Sequence, residues 1–331
     1  MNTNWINFLT SNNATFTDNS EIQFPQNQQH SANIISAVAH LAVIKVTGKD
    51  AVQFLQGQLT CNINDINHSN SFFAAFCNAK GRTISTLLIL KSEDGFLLIL
   101  PCELTDKVIG KLQMYILRSD VQLSNISDEL CLIGITSNNP TYFADLPENN
   151  FAVTNNNSEI FIKMPSSENR FLHISSVAIA TSLWTQLIEK NNFYARSSNS
   201  WIYHDMLAGI PWLTVDSSEE YIPQMLNIDK LGGISFNKGC YTGQEIIART
   251  HYLGKAKREL FLAKCNAYVL QNKETLTITN GDEQAIGKVL SIQSSKQNCI
   301  MLIVIPSSEA NSKNLMINNS NQARISKIDF Q

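Results

Sequence analysis

The chain has 331 residues, 44% of them hydrophobic and only 16% charged, so it is long enough for two or three folded units and too apolar for a disordered chain. A formal net charge of −3 offers no general attraction to phosphate backbones and argues against direct nucleic-acid binding. No apolar run approaches the roughly 18 residues that a membrane span requires, and Met1 to Thr10 carries neither the basic nor the apolar region of a secretory signal, so no membrane partner is expected.

Residues 1–30 are polar and weakly periodic and read as a loosely packed N-terminal arm. Leu41 to Val46 is apolar and rich in β-branched residues, a strand that Gly48 ends before a helix whose Val52, Leu55 and Leu59 share one face. Phe72 to Cys77 and Thr83 to Leu90 read as strands joined by a turn at Asn78, Ala79, Lys80 and Gly81, with Phe96 to Leu100 as the next strand. Leu104, Val108, Leu112 and Tyr115 mark a helix face. This order predicts an α+β fold of split-βαβ (ferredoxin-like) type, with helices on one face of an antiparallel sheet.

A second round follows, with strands at Leu130 to Thr136, Ile160 to Lys163 and Arg170 to Ile174, a helix over Val177 to Lys190, and a shorter one over Ser200 to Ala208 that stops at Gly209 before Pro211. Beyond Gly254 the pattern becomes short alternating strands: Arg258 to Lys264, Leu276 to Thr279, Ala285 to Ile292, Cys299 to Ile305 and Ala323 to Ile328. They predict a small C-terminal β-barrel over residues 255–331, leaving residues 31–254 for two subdomains.

Seven cysteines, at 61, 77, 102, 131, 240, 265 and 299, form an odd set without C-x-x-C spacing. That argues against a disulfide framework or zinc knuckle, fits a reducing cytoplasm, and leaves no arrangement for a stable metal or cluster of the chain's own. The six histidines show no metal-ligand spacing.

The densest chemistry is Phe236 to Glu245. Thr242 and Glu245 stand in capping-box relation, which predicts a helix beginning at Gly243. Cys240 then precedes the positive end of the helix dipole, with Lys238 two residues upstream, and both features favour a thiolate. The alternative is a glycine-bracketed turn in which Cys240 is a small buried side chain.

Lys238-Gly239-Cys240-Tyr241-Thr242-Gly243-Gln244-Glu245 resembles the signature of the YgfZ family, folate-binding relatives of the glycine-cleavage T-protein. Collinear segments agree: Gly48 with Phe54-Leu55-Gln56-Gly57-Gln58-Leu59-Thr60, Cys77-Asn78-Ala79-Lys80-Gly81-Arg82, Ile222-Pro223-Gln224, Leu231-Gly232-Gly233-Ile234-Ser235-Phe236, and Arg249 with Gly254. The resemblance spans roughly residues 38–305. It implies an aminomethyltransferase-type fold of three subdomains in a ring, with residues 31–254 as the folate-binding region. Tetrahydrofolate, in free or polyglutamylated form, is the implied ligand. Iron–sulfur proteins or their assembly factors are the implied partners, including enzymes that methylthiolate tRNA, so the link to tRNA is indirect. Cys240 is the implied functional thiol, facing the hole of the ring, with Trp201, Tyr241, Gln244 and Arg249 as folate contacts.

The chain departs from that pattern at several places. Leu41 stands where relatives often carry a first tryptophan, and Leu207 where many carry a glutamate that anchors the pterin. Asp205, two residues earlier, would ordinarily point to a different face. Ser85 and Thr86 replace the acidic pair of the aminomethyltransferases, so no glycine-cleavage activity is expected. Arg249 and His251 either hold a folate glutamate tail or partner carboxylate, or complement the helix C-terminus. Lys255, Lys257 and Arg258 form a short basic edge. Besides a folate-binding factor for iron–sulfur enzymes, a folate-dependent one-carbon transferase or demethylase and a non-catalytic binding module remain open.

Overall fold

The computed structural model describes the chain apart from residues 18–20, 26–32, 140–141, 143–144, 157, 267–275, 282–283, 295–297 and 319–322. Helix α1 (Thr3–Ser11) is capped by Asn2, whose Oδ1 accepts from the N–H groups of Asn4 and Trp5. A hairpin of β1 (Thr15–Phe16) and β2 (Ile22–Gln23) follows. The described part of the N-terminal arm is therefore not loosely packed. Trp5 and Leu9, one helical turn apart, enter a core with Ile22, Phe171 and Trp184, and Trp5 meets Trp184 edge-to-face at 5.7 Å. Two apolar side chains on one face suffice to dock so short a helix, which is why its polar composition hides it.

Strand β3 (Ile34–Ala37) leads into β4 (Leu41–Thr47), α2 (Ala51–Gln56), β5 (Ser71–Cys77), β6 (Thr83–Ser92), β7 (Gly95–Pro101), α3 (Thr105–Ile116) and β8 (Gln122–Asn125). The first large sheet is antiparallel in the order β5-β6-β7-β4-β8. Strands β4 to β7 run where the β-branched and aromatic stretches predict, whereas the edge strand β8 is not among the predicted strands. Helix α2 is shorter than expected: Ala51, Phe54 and Leu55 are its buried face, Val52 is exposed, and Leu59 is buried beyond the helix end. Tyr115 is likewise exposed, whereas Leu104, Val108 and Leu112 are buried.

The second sheet uses β9 (Leu130–Ser137), β10 (Val153–Asn156), β11 (Glu159–Met164), β12 (Asn169–Ser176) and β13 (Tyr194–Arg196), with α4 (Val177–Asn191) between β12 and β13 and α5 (Ser198–Leu207) after β13. Its order is β10-β11-β12-β9-β3-β13, antiparallel except that β13 runs parallel to β3. Strand β3 precedes the whole first sheet in sequence yet pairs in the second, so the two sheets interleave along the chain.

Helix α6 (Gln244–Leu253) precedes a third sheet of β14 (Arg258–Cys265), β15 (Thr277–Asn280), β16 (Ala285–Ser294), β17 (Cys299–Pro306), β18 (Leu315–Asn318) and β19 (Ile325–Ile328), in the order β18-β15-β16-β17-β14-β19. A bridge between Met316 and Arg324 brings its two edges together, so the sheet curls around Phe261, Ile278, Met301, Ile303 and Ile317. The finding is a curled half-barrel where the strand pattern suggested a barrel. Among the described residues no helix is long and apolar enough to cross a membrane.

Candidate functional site: a clamped cysteine loop and a buried polar cluster

The segment from Gly233 to Gly243 lacks regular secondary structure, and its shape comes from four partners distant in sequence. Thr60 is fully buried; its hydroxyl donates to Gly233 O at 2.6 Å and accepts from Ala75 N at 2.9 Å, while Ser235 N donates to Thr60 O at 2.9 Å. Lys238 Nζ donates to Leu59 O at 2.8 Å and Cys61 O at 2.7 Å, and lies 5.0 Å from the centre of the buried Tyr241 ring. Thr242 N donates to Gly57 O at 3.1 Å, and its hydroxyl reaches Gln58 Oε1 at 3.4 Å. From α6, Ile247 O accepts from Gln224 Nε2 at 2.7 Å.

The fourth partner is the turn at Asn78 to Arg82, closed by Asn78 Oδ1, which accepts from Lys80 N and Arg82 N. Gly81 and Gly243 both adopt left-handed φ, +68° and +84°, and pack backbone to backbone. A Cβ on Gly243 would lie 2.5 Å from Asn78 O and 2.9 Å from Gly81 Cα, so both positions require glycine. Segments separated by more than a hundred residues thus close on a single loop.

Cys240 is exposed on that loop, which overturns the alternative of a small buried side chain. Two expectations about its surroundings need correction. Helix α6 starts at Gln244 with the left-handed Gly243 in the cap position and no side-chain cap; Thr242 is turned toward Gln58 and Glu245 is exposed, so the capping box does not form. The Lys238 ammonium, lowered to about 8 by burial, is committed to the Leu59 and Cys61 carbonyls under the loop. Beside the loop, burial pushes the Cys61 and Cys77 thiols up to about 12, which keeps both protonated and inert. Burial also raises the Tyr241 hydroxyl.

Gln244 is half-buried and Arg249 exposed. Phe236, four residues before Cys240, stacks on His251 with centroids 3.7 Å apart and planes 13° from parallel, and Tyr252 meets both rings edge-on.

Trp201 belongs to a second assembly. On α5 it is 2% exposed, the Arg170 guanidinium covers its ring at 4.1 Å, and Gly134 leaves room for the indole, since a Cβ there would lie 2.2 Å from Trp201 Cε3. Arg170 Nη2 donates to Asp205 Oδ1 at 2.6 Å, and Asp205 Oδ2 accepts from Trp212 Nε1 at 2.9 Å. Both Asp205 oxygens are engaged, so it is no free replacement for the glutamate missing at Leu207. Trp212 packs edge-on against Phe73 at 4.8 Å, and the carbonyl of Phe73 is what excludes a side chain at Gly233, which links this assembly to the cysteine loop.

Several buried polar atoms of this assembly have no hydrogen-bond partner among the described residues: Trp201 Nε1, Arg170 Nε, and both ring nitrogens of His40. Burial lowers His40 to about 4, with Asp205 pulling the other way, and lowers His204 to about 4, with Arg170 adding to it. Unpaired buried donors and acceptors are uncommon, and several around one carboxylate suit a polar planar ligand. Arg170, His40 and Trp212 escape sequence reading, although Arg170 shares a strand face with the buried Leu172 and Ile174, a signal that an inward-facing arginine carries. Leu207 lines a groove of about 500 Å³ with Asn199 and Tyr203 on one side and Lys264, Gln293 and Ile328 on the other. Leu41 is buried in β4.

Ser85 and Thr86 are fully buried. Ser85 Oγ donates to Thr86 O, and Thr86 Oγ1 donates to Pro211 O and accepts from Leu213 N, so both hydroxyls are engaged and that of Thr86 holds the chain after α5. Among the described residues no group of three or more His, Cys, Asp and Glu is placed to hold a metal ion.

Residues 20–137 match the GCVT N-terminal domain family. The tRNA-modifying protein YgfZ of Colwellia psychrerythraea is 30% identical over 244 residues, covering 72% of this chain and 74% of that protein. The glycine cleavage system aminomethyltransferase T of Bartonella henselae has a TM-score of 0.72 at 13% identity, covering 98% of this chain and 96% of that one, which shows a shared fold.

Proposed function

The chain belongs to the family of the tRNA-modifying protein YgfZ and has the aminomethyltransferase fold, and from that premise we propose that it is a tetrahydrofolate-binding protein that supports assembly or repair of iron–sulfur enzymes, including those that methylthiolate tRNA. The observation that carries the reading is the exposure of Cys240 on a loop clamped by Thr60, by the Leu59 and Cys61 carbonyls that hold Lys238, and by the turn at Gly81. A thiol displayed on a rigid support can meet a group carried by a second protein, whereas the neighbouring thiols are buried. The seven free cysteines suit a cytoplasmic setting.

The first two sheets and the curled sheet are taken as the three subdomains of the ring, the first two as split-βαβ units over residues 31–254 and the third over 255–331. Tetrahydrofolate, when bound, supplies ring nitrogens that carry or accept a one-carbon unit. The unpaired Trp201 Nε1, Arg170 Nε and His40 nitrogens fit the polar edge of such a ring, Tyr241 and Gln244 stand on the loop side, and the Arg249 cation suits a glutamate tail. With Asp205 engaged and Leu207 apolar, recognition rests on N–H donors more than on a carboxylate. Ser85 and Thr86 offer no carboxylate, so aminomethyl transfer from glycine-cleavage substrates is not expected.

Calorimetric titration of tetrahydrofolate tests the ligand. The wild type binds, and Trp201→Phe, which keeps an aromatic ring but deletes the N–H, weakens binding by about five- to tenfold, the worth of one hydrogen bond. Absence of binding to the wild type would remove folate from this account. Cys240→Ser is expected to fold normally and to lower methylthiolated tRNA in cells; a level equal to wild type would favour a binding module without chemistry.

A further inference from the structure

We infer that the face formed by Phe236, His251, Tyr252, Leu253, Lys255 and Lys257 is the docking surface for an acidic segment of the client iron–sulfur protein, an inference that rests on the function proposed above. Helix α6 follows the Cys240 loop directly, and Ile247 is its one buried residue, with Glu245, Arg249, His251, Tyr252 and Leu253 exposed. In its last turn Tyr252 is 64% exposed and Leu253 81% exposed, the kind of large apolar display that marks interaction sites. The face is rigid relative to Cys240 because Phe236, from the start of the same loop, stacks on His251 at 3.7 Å.

Charge selects the occupant. Lys255, Lys257 and Arg258 stand together after α6 with Glu259 as the one adjoining acid, a local cationic excess on a chain whose net charge is −3. Lys255 and Lys257 are exposed and among the described residues make no close ion pair, Glu259 acting on Lys255 only at longer range, whereas Lys45, Lys107, Lys230 and Lys288 each hold a carboxylate. A surface of exposed rings and a leucine bordered by unpaired cations complements an acidic segment with aliphatic side chains. RNA is the weaker match: so small a cationic cluster on a net acidic chain falls short of the roughly six to ten phosphate contacts of typical nucleic-acid binders.

The test measures binding of a purified iron–sulfur methylthiotransferase that acts on tRNA to the full-length protein and two surface variants. These are Lys255→Glu with Lys257→Glu, and Tyr252→Ser with Leu253→Ser. Expected are at least about tenfold weaker binding by each, a wild-type affinity that falls as salt is raised, and tetrahydrofolate titrations of both variants equal to wild type. Equal client affinity of the charge-reversed variant, or wild-type affinity independent of salt, would overturn the inference. Filter binding in which the wild type retains tRNA and the charge-reversed variant does not would replace it with an RNA surface. Failure of the functional reading itself shows separately, as absent folate binding by the wild type and a silent Cys240→Ser.

Discussion

Alanine at Gly243 is the substitution that most directly probes the clamp beneath Cys240. Its φ of +84° already disfavours any residue with a β-carbon, by about 1–2 kcal/mol. The added Cβ would also lie 2.5 Å from Asn78 O, 2.9 Å from Gly81 Cα and 3.0 Å from Gly81 N. These are main-chain atoms of a turn that Asn78 Oδ1 closes with bonds of 2.9 and 3.1 Å, so no flexible side chain can move aside. Relief requires pulling the loop away from the turn and loosening the Thr242 N to Gly57 O bond, an overpacking cost of about 1–3 kcal/mol. Together these predict a loss of about 2–5 kcal/mol in urea unfolding at pH 7, faster reaction of Cys240 with a thiol reagent, and less methylthiolated tRNA. Gly239→Ala is the matched control, since a Cβ there meets nothing within 4 Å and its φ is not left-handed. Its stability should stay within about 0.5 kcal/mol of wild type. Equal stabilities of the two variants would refute the clamp.

Asp205→Ala leaves the Arg170 guanidinium buried without its carboxylate and is expected to cost about 3–5 kcal/mol in denaturant unfolding, part of which Arg170→Met should restore in the double variant. Lys238→Met removes the ammonium that binds two carbonyls under the loop, with an expected loss of about 1–3 kcal/mol; a variant as stable as wild type would show that those carbonyls find other partners. Burial lowers His40, His173 and His204 from 6.5 to about 4, so the unfolded chain binds more protons between those values. The stability they protect is present above pH 6.5 and is lost as pH falls from 6.5 toward 4. The expected loss is on the order of 1 kcal/mol for each histidine between pH 7 and 5, and unchanged urea midpoints over that interval would count against their burial.

Local periodicity and turn chemistry made much of the fold legible in the chain. Strands β4 to β7 of the first sheet, the turn at Asn78 to Gly81, helices α3, α4 and α5 and most of the C-terminal strands lie where the apolar patterns and glycines put them, because those signals act over a few residues. The octapeptide around Cys240 and its collinear segments likewise pointed to the family. Tertiary structure alone decided what those segments do to one another. Thr60 binds Gly233 across 173 positions, Arg170 meets Asp205 across 35, and β3 pairs with β9 past an entire intervening sheet. Thr242 and Glu245 had a good local pattern for a capping box, yet the left-handed Gly243 and the nearby Gln58 gave the threonine a different partner. Exposure of Cys240 and burial of Trp201 under Arg170 follow from the same cause: a side chain's surroundings are set by chain segments that come together only when the sheets pack, and no local pattern encodes them.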